Sequence, residues 1–282
     1  AAVAASQGAA RSAVSVTERI PALVDTGWLA ERLGKPDVRI IDVRPQPEYN
    51  TSHIPGSVCL NAESVRGVVG GLSSMLLPSD VLARLASWMG VKPTDTVVVV
   101  PGAAVRDATL VGMAFERLGH ANWAVLHGGF DKWLAENRPV DAALPAIEPS
   151  DYQAPAGPDA FTVDYPAVLR RVGDNRTVIL DTRPADYFRG DKSDEARAGH
   201  IPGAVNRPIK EDLDENGQLK PAPELAAAYA ALIPTKQTPV VVHCRTGHQA
   251  SQTFFIVTRL LGYTDVKWYD ASWTEWAARP EL

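Results

Sequence analysis

Two kinds of apolar pattern alternate along the chain. Continuous runs (VRIIDV from Val38, TVVVV from Thr96, TVILDT from Thr177, PVVVHC from Pro239) are short and rich in valine and isoleucine. Apolarity without alternation predicts strands buried on both faces, as in a parallel sheet. Between these runs, GWLAERLG, DVLARLASWMG, PAVLRRVG and PELAAAYAALI repeat apolar residues at helical spacing. Gly34 and Gly173 stand where a helix C-cap would. After the last valine run, Ala250, Phe254, Val257 and Leu261 again fall at helical spacing. Strands alternating with helices predict an α/β fold of open, mostly parallel sheets flanked by helices.

The pattern occurs twice. VDTGWLAERLGKPDVRIIDVRP from Val24 aligns without a gap to VDYPAVLRRVGDNRTVILDTRP from Val163. HIPGSV at His53 has its counterpart in HIPGAV at His200. VVVVPGAAVRDATLVGMAFERLGH aligns with VVVHCRTGHQASQTFFIVTRLLGY, and Trp133 then pairs with Trp276. The second copy carries eight extra residues, within FRGDKSDEARAG. Three matching blocks in the same order mark a tandem duplication. Between the copies, prolines at 139, 145, 149, 155 and 158 predict an extended linker. The expected division is a disordered tail at 1–15, a first domain at 16–138, a linker at 139–159 and a second domain at 160–282. AAVAASQGAARSAVS lacks the apolar core of a signal peptide and a starting Met. It reads as a mature end left after export or a trimmed terminus, so periplasmic and cytoplasmic locations both stay open.

Composition narrows the classes. Of 282 residues, 45% are hydrophobic and 22% charged, as in ordinary globular proteins, and the length suits about two domains. The net charge of −5 argues against nucleic acid or an anionic membrane as a partner. No apolar run approaches the roughly 20 residues that span a bilayer. The six histidines and two cysteines lack metal-ligand spacing, so neither a metal nor another cofactor is expected. Parity alone leaves a Cys59–Cys244 disulfide open.

The candidate chemistry lies in TPVVVHCRTGHQASQTFF, where a valine strand stops on Cys244 and a helix follows. Residues 244–249 join the carboxyl end of a strand to a helix N-terminus, the usual ligand position of open α/β sheets. Backbone N–H groups of such a loop converge on one point, and the helix dipole adds positive potential there. A thiol at that focus is expected to be largely thiolate, since comparable settings lower a cysteine pKa to roughly 3.5–7.5. Cys244 is therefore the candidate nucleophile, with Arg245, Thr246, Gly247, His248 and Gln249 around its substrate. The alternative, a buried small hydrophobe, sits poorly with those polar neighbours. It suits Cys59, which follows a turn in the apolar GSVCLN. Pro101 occupies the Cys244 position in the first copy and removes an N–H as well as the nucleophile.

The paired DxRP and HIPG motifs, the valine strand, the cysteine loop and YDASWTEW together resemble the tandem-domain rhodanese family of sulfurtransferases, over about residues 20 to 280. The resemblance implies a degenerate first domain and a ping-pong reaction without cofactor. The Cys244 thiolate would take the outer sulfur of a small anionic donor such as thiosulfate and hold it as a persulfide. It would then pass that sulfur to cyanide or a thiol, a thioredoxin-like protein among them. By the same resemblance Arg183, in DTRP, and Arg189 would hold the donor's acidic group, and Arg245, directly after the cysteine, joins them as a candidate. Each arginine has a plainer reading: an ion pair with Asp181 for Arg183, which Arg44 of the first copy would share, and surface charge or salt bridges for the other two. CRTGHQ departs from both familiar loops, CRKGVT of the thiosulfate type and CGSGVT of the mercaptopyruvate type. It keeps the arginine of the first but has Thr246 in place of lysine, and His248–Gln249 in place of Val-Thr. His248 is a candidate anion donor or acid, or an outward-facing residue. A cysteine phosphatase or arsenate reductase would need an arginine six positions after the nucleophile, where Ala250 stands. A non-turnover sulfur carrier or sensor needs only the cysteine and stays open.

Overall fold

The computed structural model describes residues 19–279 and 281, so the tail expected at 1–15 lies outside the described residues. The first copy contributes strands β1 (Leu23–Val24), β2 (Val38–Asp42), β3 (Val58–Cys59), β4 (Arg66–Val69), β5 (Leu72–Leu76), β6 (Thr96–Val100) and β7 (Trp123–Leu126). Five of them form a parallel sheet in the order β1-β7-β6-β2-β3, and β4 and β5 form a separate antiparallel hairpin. The second copy contributes β8 (Val178–Asp181), β9 (Val205–Asn206), β10 (Val240–His243) and β11 (Val266–Trp268), parallel in the order β11-β10-β8-β9. A parallel bridge from Thr162 to Trp268 stands where β1 pairs in the first sheet. Both sheets thus carry the same strand order, as the duplication requires. Val97–Val100 and Val240–Val242 are buried throughout, so their unbroken valine pattern reports helices on both faces of each sheet.

One hydrophobic cluster runs through both copies, and a smaller cluster lies on the outer face of each sheet. The copies meet where helix Val105–Arg117 packs against helix His248–Phe255. The Trp123 and Phe255 rings lie 5.4 Å apart there, and the Thr109 and Ser251 hydroxyls share a 2.8 Å hydrogen bond. Residues 139–159 form no helix and only one isolated bridge, Asp141 with His53. The linker is pinned to the first copy: buried Tyr152 meets His120 Nδ1 at 3.0 Å, and the Ser150 N–H donates to the Ser87 carbonyl. His53 and His200 hold their turns by stacking on Tyr49 and Phe188, at 3.9 and 3.8 Å between centroids. The Asp-x-Arg motifs leave the carboxyl ends of β2 and β8, next to the ends of β6 and β10. That register sets Arg183 beside Cys244.

Candidate active site

Helix formation begins earlier than the apolar spacing implied. The 244–249 loop is only four residues long, because His248 and Gln249 already form the first turn of His248–Phe255, capped by Gly247. Gly247 has φ +84, in the left-handed region, and a Cβ there would lie 2.7 Å from the Asp270 carbonyl and 3.0 Å from the Trp268 ring. Only glycine fits both the turn and this approach. Its amide, with those of Thr246, Gln249 and Ala250, is directed at the Cys244 sulfur. Cys244 is buried, and both cysteines are free thiols rather than a disulfide.

The expected thiolate is not what this setting gives. Burial pushes the Cys244 pKa up, and the four amides pull it down without cancelling that effect. The loop favours a charged sulfur through hydrogen bonds, whereas the enclosure withholds water from it.

A cavity of about 320 Å3 opens at the sulfur, lined by Arg106, Arg183, Pro184, Tyr187, Asp194, Cys244, Arg245, Thr246, His248 and Gln249. A larger cavity of about 550 Å3, between hairpin and linker, is lined by neither cysteine. Arg183 stands in the smaller cavity's wall, but Asp181 holds it by bonds of 2.6–3.1 Å and the Gly199 carbonyl accepts from Nη2 at 2.7 Å. Its guanidinium also lies 4.5 Å from the Trp273 ring centroid. Arg44 repeats this arrangement with Asp42, the Ser52 carbonyl and Phe130. The ion pair is thus a framework feature of both copies. Arg245 is half-exposed and pairs with Glu195 at 2.8 Å and Asp194 at 3.9 Å, both in the eight-residue insertion. Arg189 is not in the cavity wall; it pairs at the surface with Asp191 at 2.8 Å. Arg189 is the last residue of the short helix Ala185–Arg189, which ends at the left-handed Gly190.

The first copy holds the loop in place, which no motif announced. Arg66 Nη1 donates to the Thr246 carbonyl at 2.8 Å, and Arg66 Nε donates to Glu63 at 3.0 Å. His248 faces the interface rather than solvent, with Nδ1 3.2 Å from Glu63 and Nε2 2.9 Å from Asp107. From its own domain the loop receives the Trp268 indole N–H at the Gly247 carbonyl and the Trp273 N–H at the Cys244 carbonyl. In the first copy the Phe130 N–H meets the Pro101 carbonyl in the same way, at a site with no sulfur. Arg106 was also missed; the repeat alignment marks it only as the counterpart of Gln249. Among the described residues no group of His, Cys, Asp and Glu could hold a metal, and no helix is long and apolar enough to cross a membrane.

Two like-ordered parallel sheets, one bearing a cysteine under converging loop amides and the other a proline, define a duplicated α/β protein with one thiol site. The rhodanese-like domain model matches residues 25–136 and 165–279, and the chain belongs to this family. A Synechococcus elongatus protein provisionally named a thiosulfate sulfurtransferase is 36% identical over 89% of this chain and 81% of its own. Sulfur carrier protein TtuD of Thermus thermophilus is 32% identical, covering 90% of this chain and 93% of its own. The structure resembles SseA of Escherichia coli, described as a 3-mercaptopyruvate sulfotransferase. That match has TM-score 0.76 and 26% identity, over 90% of this chain and 99% of that one.

Proposed function

We propose that the protein is a sulfurtransferase that moves a sulfane sulfur from a small anionic donor to a thiophilic acceptor through a persulfide on Cys244. The observation that carries the reading is the Cys244 sulfur itself, faced by the amides of Thr246, Gly247, Gln249 and Ala250 at the floor of an arginine-lined cavity. After losing its proton, the thiolate attacks the outer sulfur of thiosulfate. A Cys–S–S bond forms, the donor's S–S bond breaks, and sulfite leaves with that bond's electron pair. Attack by cyanide or a thiolate on the terminal sulfur then returns the Cys244 thiolate. A covalent intermediate divides one transfer into two, and fixed amides stabilise the anionic sulfur without reorganising.

Thiosulfate is the favoured donor because Arg245 follows the cysteine and the relative from Synechococcus elongatus carries a thiosulfate name. The likeness to TtuD supports a second reading, a carrier whose discharge needs a protein partner such as a thioredoxin-like protein. Steady-state thiocyanate formation separates the two. An enzyme makes many equivalents from thiosulfate and cyanide, whereas a carrier stops near one per Cys244.

A further inference from the structure

Four positively charged or protonatable side chains line the Cys244 cavity: Arg106, Arg183, Arg245 and His248. Three of them face carboxylates. Asp181 holds Arg183, Glu195 and Asp194 hold Arg245, and Glu63 and Asp107 flank His248. Arg106 is the exception, since among the described residues its guanidinium makes no hydrogen bond or ion pair. Its backbone is fixed all the same. It lies in the first turn of helix Val105–Arg117, and its carbonyl accepts from Thr109 Oγ1 at 3.1 Å and from Ser251 Oγ at 3.4 Å. Ser251 belongs to the helix that follows the cysteine loop, so the two helix starts are tied together across the interface. Arg106 also lines an adjoining recess of about 200 Å3, with Pro184 and Gln249 common to both, which places it at the seam between the two spaces.

We propose that Arg106, supplied by the domain without a nucleophile, is the residue that holds the anionic end of the sulfur donor. An arginine already bonded to a carboxylate offers an incoming sulfonate little net charge, whereas an unpaired guanidinium keeps its planar fork for two oxygens. The neighbouring Arg183 and Arg245 add donors to the same wall, but their charge is largely met by Asp181, Glu195 and Asp194. On this account the first copy has kept a role after losing its cysteine position to Pro101. It completes the donor site of the second copy, and separating the two domains would dismantle that site.

The inference rests on the sulfurtransferase reading, and its test keeps the two apart. Thiosulfate is mixed with the wild-type chain and with Arg106→Ala, Arg106→Lys and Arg106→Gln, and persulfide on Cys244 is followed by mass against time and donor concentration. Thiosulfate binding is measured separately by calorimetry on Cys244→Ser with and without Arg106→Ala. Arg106→Ala should raise the thiosulfate KM about 10-fold or more, the usual scale for one lost charged contact. Discharge of preformed persulfide to cyanide should stay unchanged, and Arg106→Lys should recover most of the loss. A KM within about twofold of wild type in Arg106→Ala, where one charged contact should count for far more, overturns the role while the sulfurtransferase reading stands. So does equal slowing of loading and discharge, which would make Arg106 structural. If Arg106→Ala does not fold, Arg106→Gln, which places the second copy's own residue there, decides by the same criteria. A wild-type chain that neither thiosulfate nor 3-mercaptopyruvate loads would sink the sulfurtransferase reading itself and this inference with it.

Discussion

Replacing Asp270 by asparagine should remove a pH-dependent penalty that the fold carries next to its cysteine loop. Asp270 follows β11, and one carboxylate oxygen accepts the Leu76 N–H of the first-copy hairpin at 2.7 Å. The other oxygen is buried without a hydrogen-bond partner. Burial raises the pKa from 3.8 to about 7, against the opposing pull of the Leu76 bond, Arg117 and Arg66. The folded state therefore keeps a proton that the unfolded chain gives up near pH 4. Stability must fall as pH rises from about 4 to about 7, and the loss is complete above that window. A shift of about three units, at 1.36 kcal/mol each, gives about 4 kcal/mol as an upper figure. Asparagine can still accept the Leu76 N–H and has no proton to lose. Thermal unfolding of both proteins across this pH range should show Asp270→Asn gaining on wild type, up to roughly 10 °C at the alkaline end. Two curves that stay parallel would refute the reasoning, because the carboxyl would then titrate alike in both states.

The paired arginines offer a matched test. Arg183→Ala and Arg44→Ala should each destabilise their domain by about 3–5 kcal/mol, the usual loss when one partner of a buried ion pair is removed. Only Arg183→Ala should also change donor kinetics, and an Arg183→Ala protein as stable as wild type would remove the framework role. Because burial raises the Cys244 pKa, kcat/KM for the donor should climb with pH through the neutral range, by about tenfold per unit while the thiol stays protonated. A flat profile across neutral pH would show that the four amides outweigh burial.

The unbroken valine runs made the parallel strands legible, because burial on both faces leaves a pattern that needs no knowledge of the partner helices. The duplication did the same for the like strand orders, and Pro101 for the copy without a nucleophile. The site was less legible where it depends on contacts across the interface. Nothing in the local sequence distinguishes Arg66, whose side chain is buried and bonds the Thr246 carbonyl 180 residues away, from an arginine at the surface. His248 and Gln249 read as loop because polar residues mask a first helical turn, and the left-handed Gly247 that starts it is visible only as a glycine. The thiolate expectation failed for a related reason: convergent amides follow from a strand–loop–helix pattern, but how far the sulfur is enclosed follows from the packing of both domains. For Arg183 the motif made the Asp181 ion pair legible, since Arg44 repeats it in the first copy, whereas a role toward the donor depends on the cavity the two copies form.

The claim on which all of this turns is that sulfur is carried by Cys244. Its most direct measurement is the intact mass of the protein after thiosulfate, without reductant, for the wild-type chain, Cys244→Ser and Cys59→Ser. The account predicts a gain of one sulfur atom in wild type and in Cys59→Ser, reversed by cyanide, and no gain in Cys244→Ser. A sulfur retained by Cys244→Ser and lost from Cys59→Ser would contradict it.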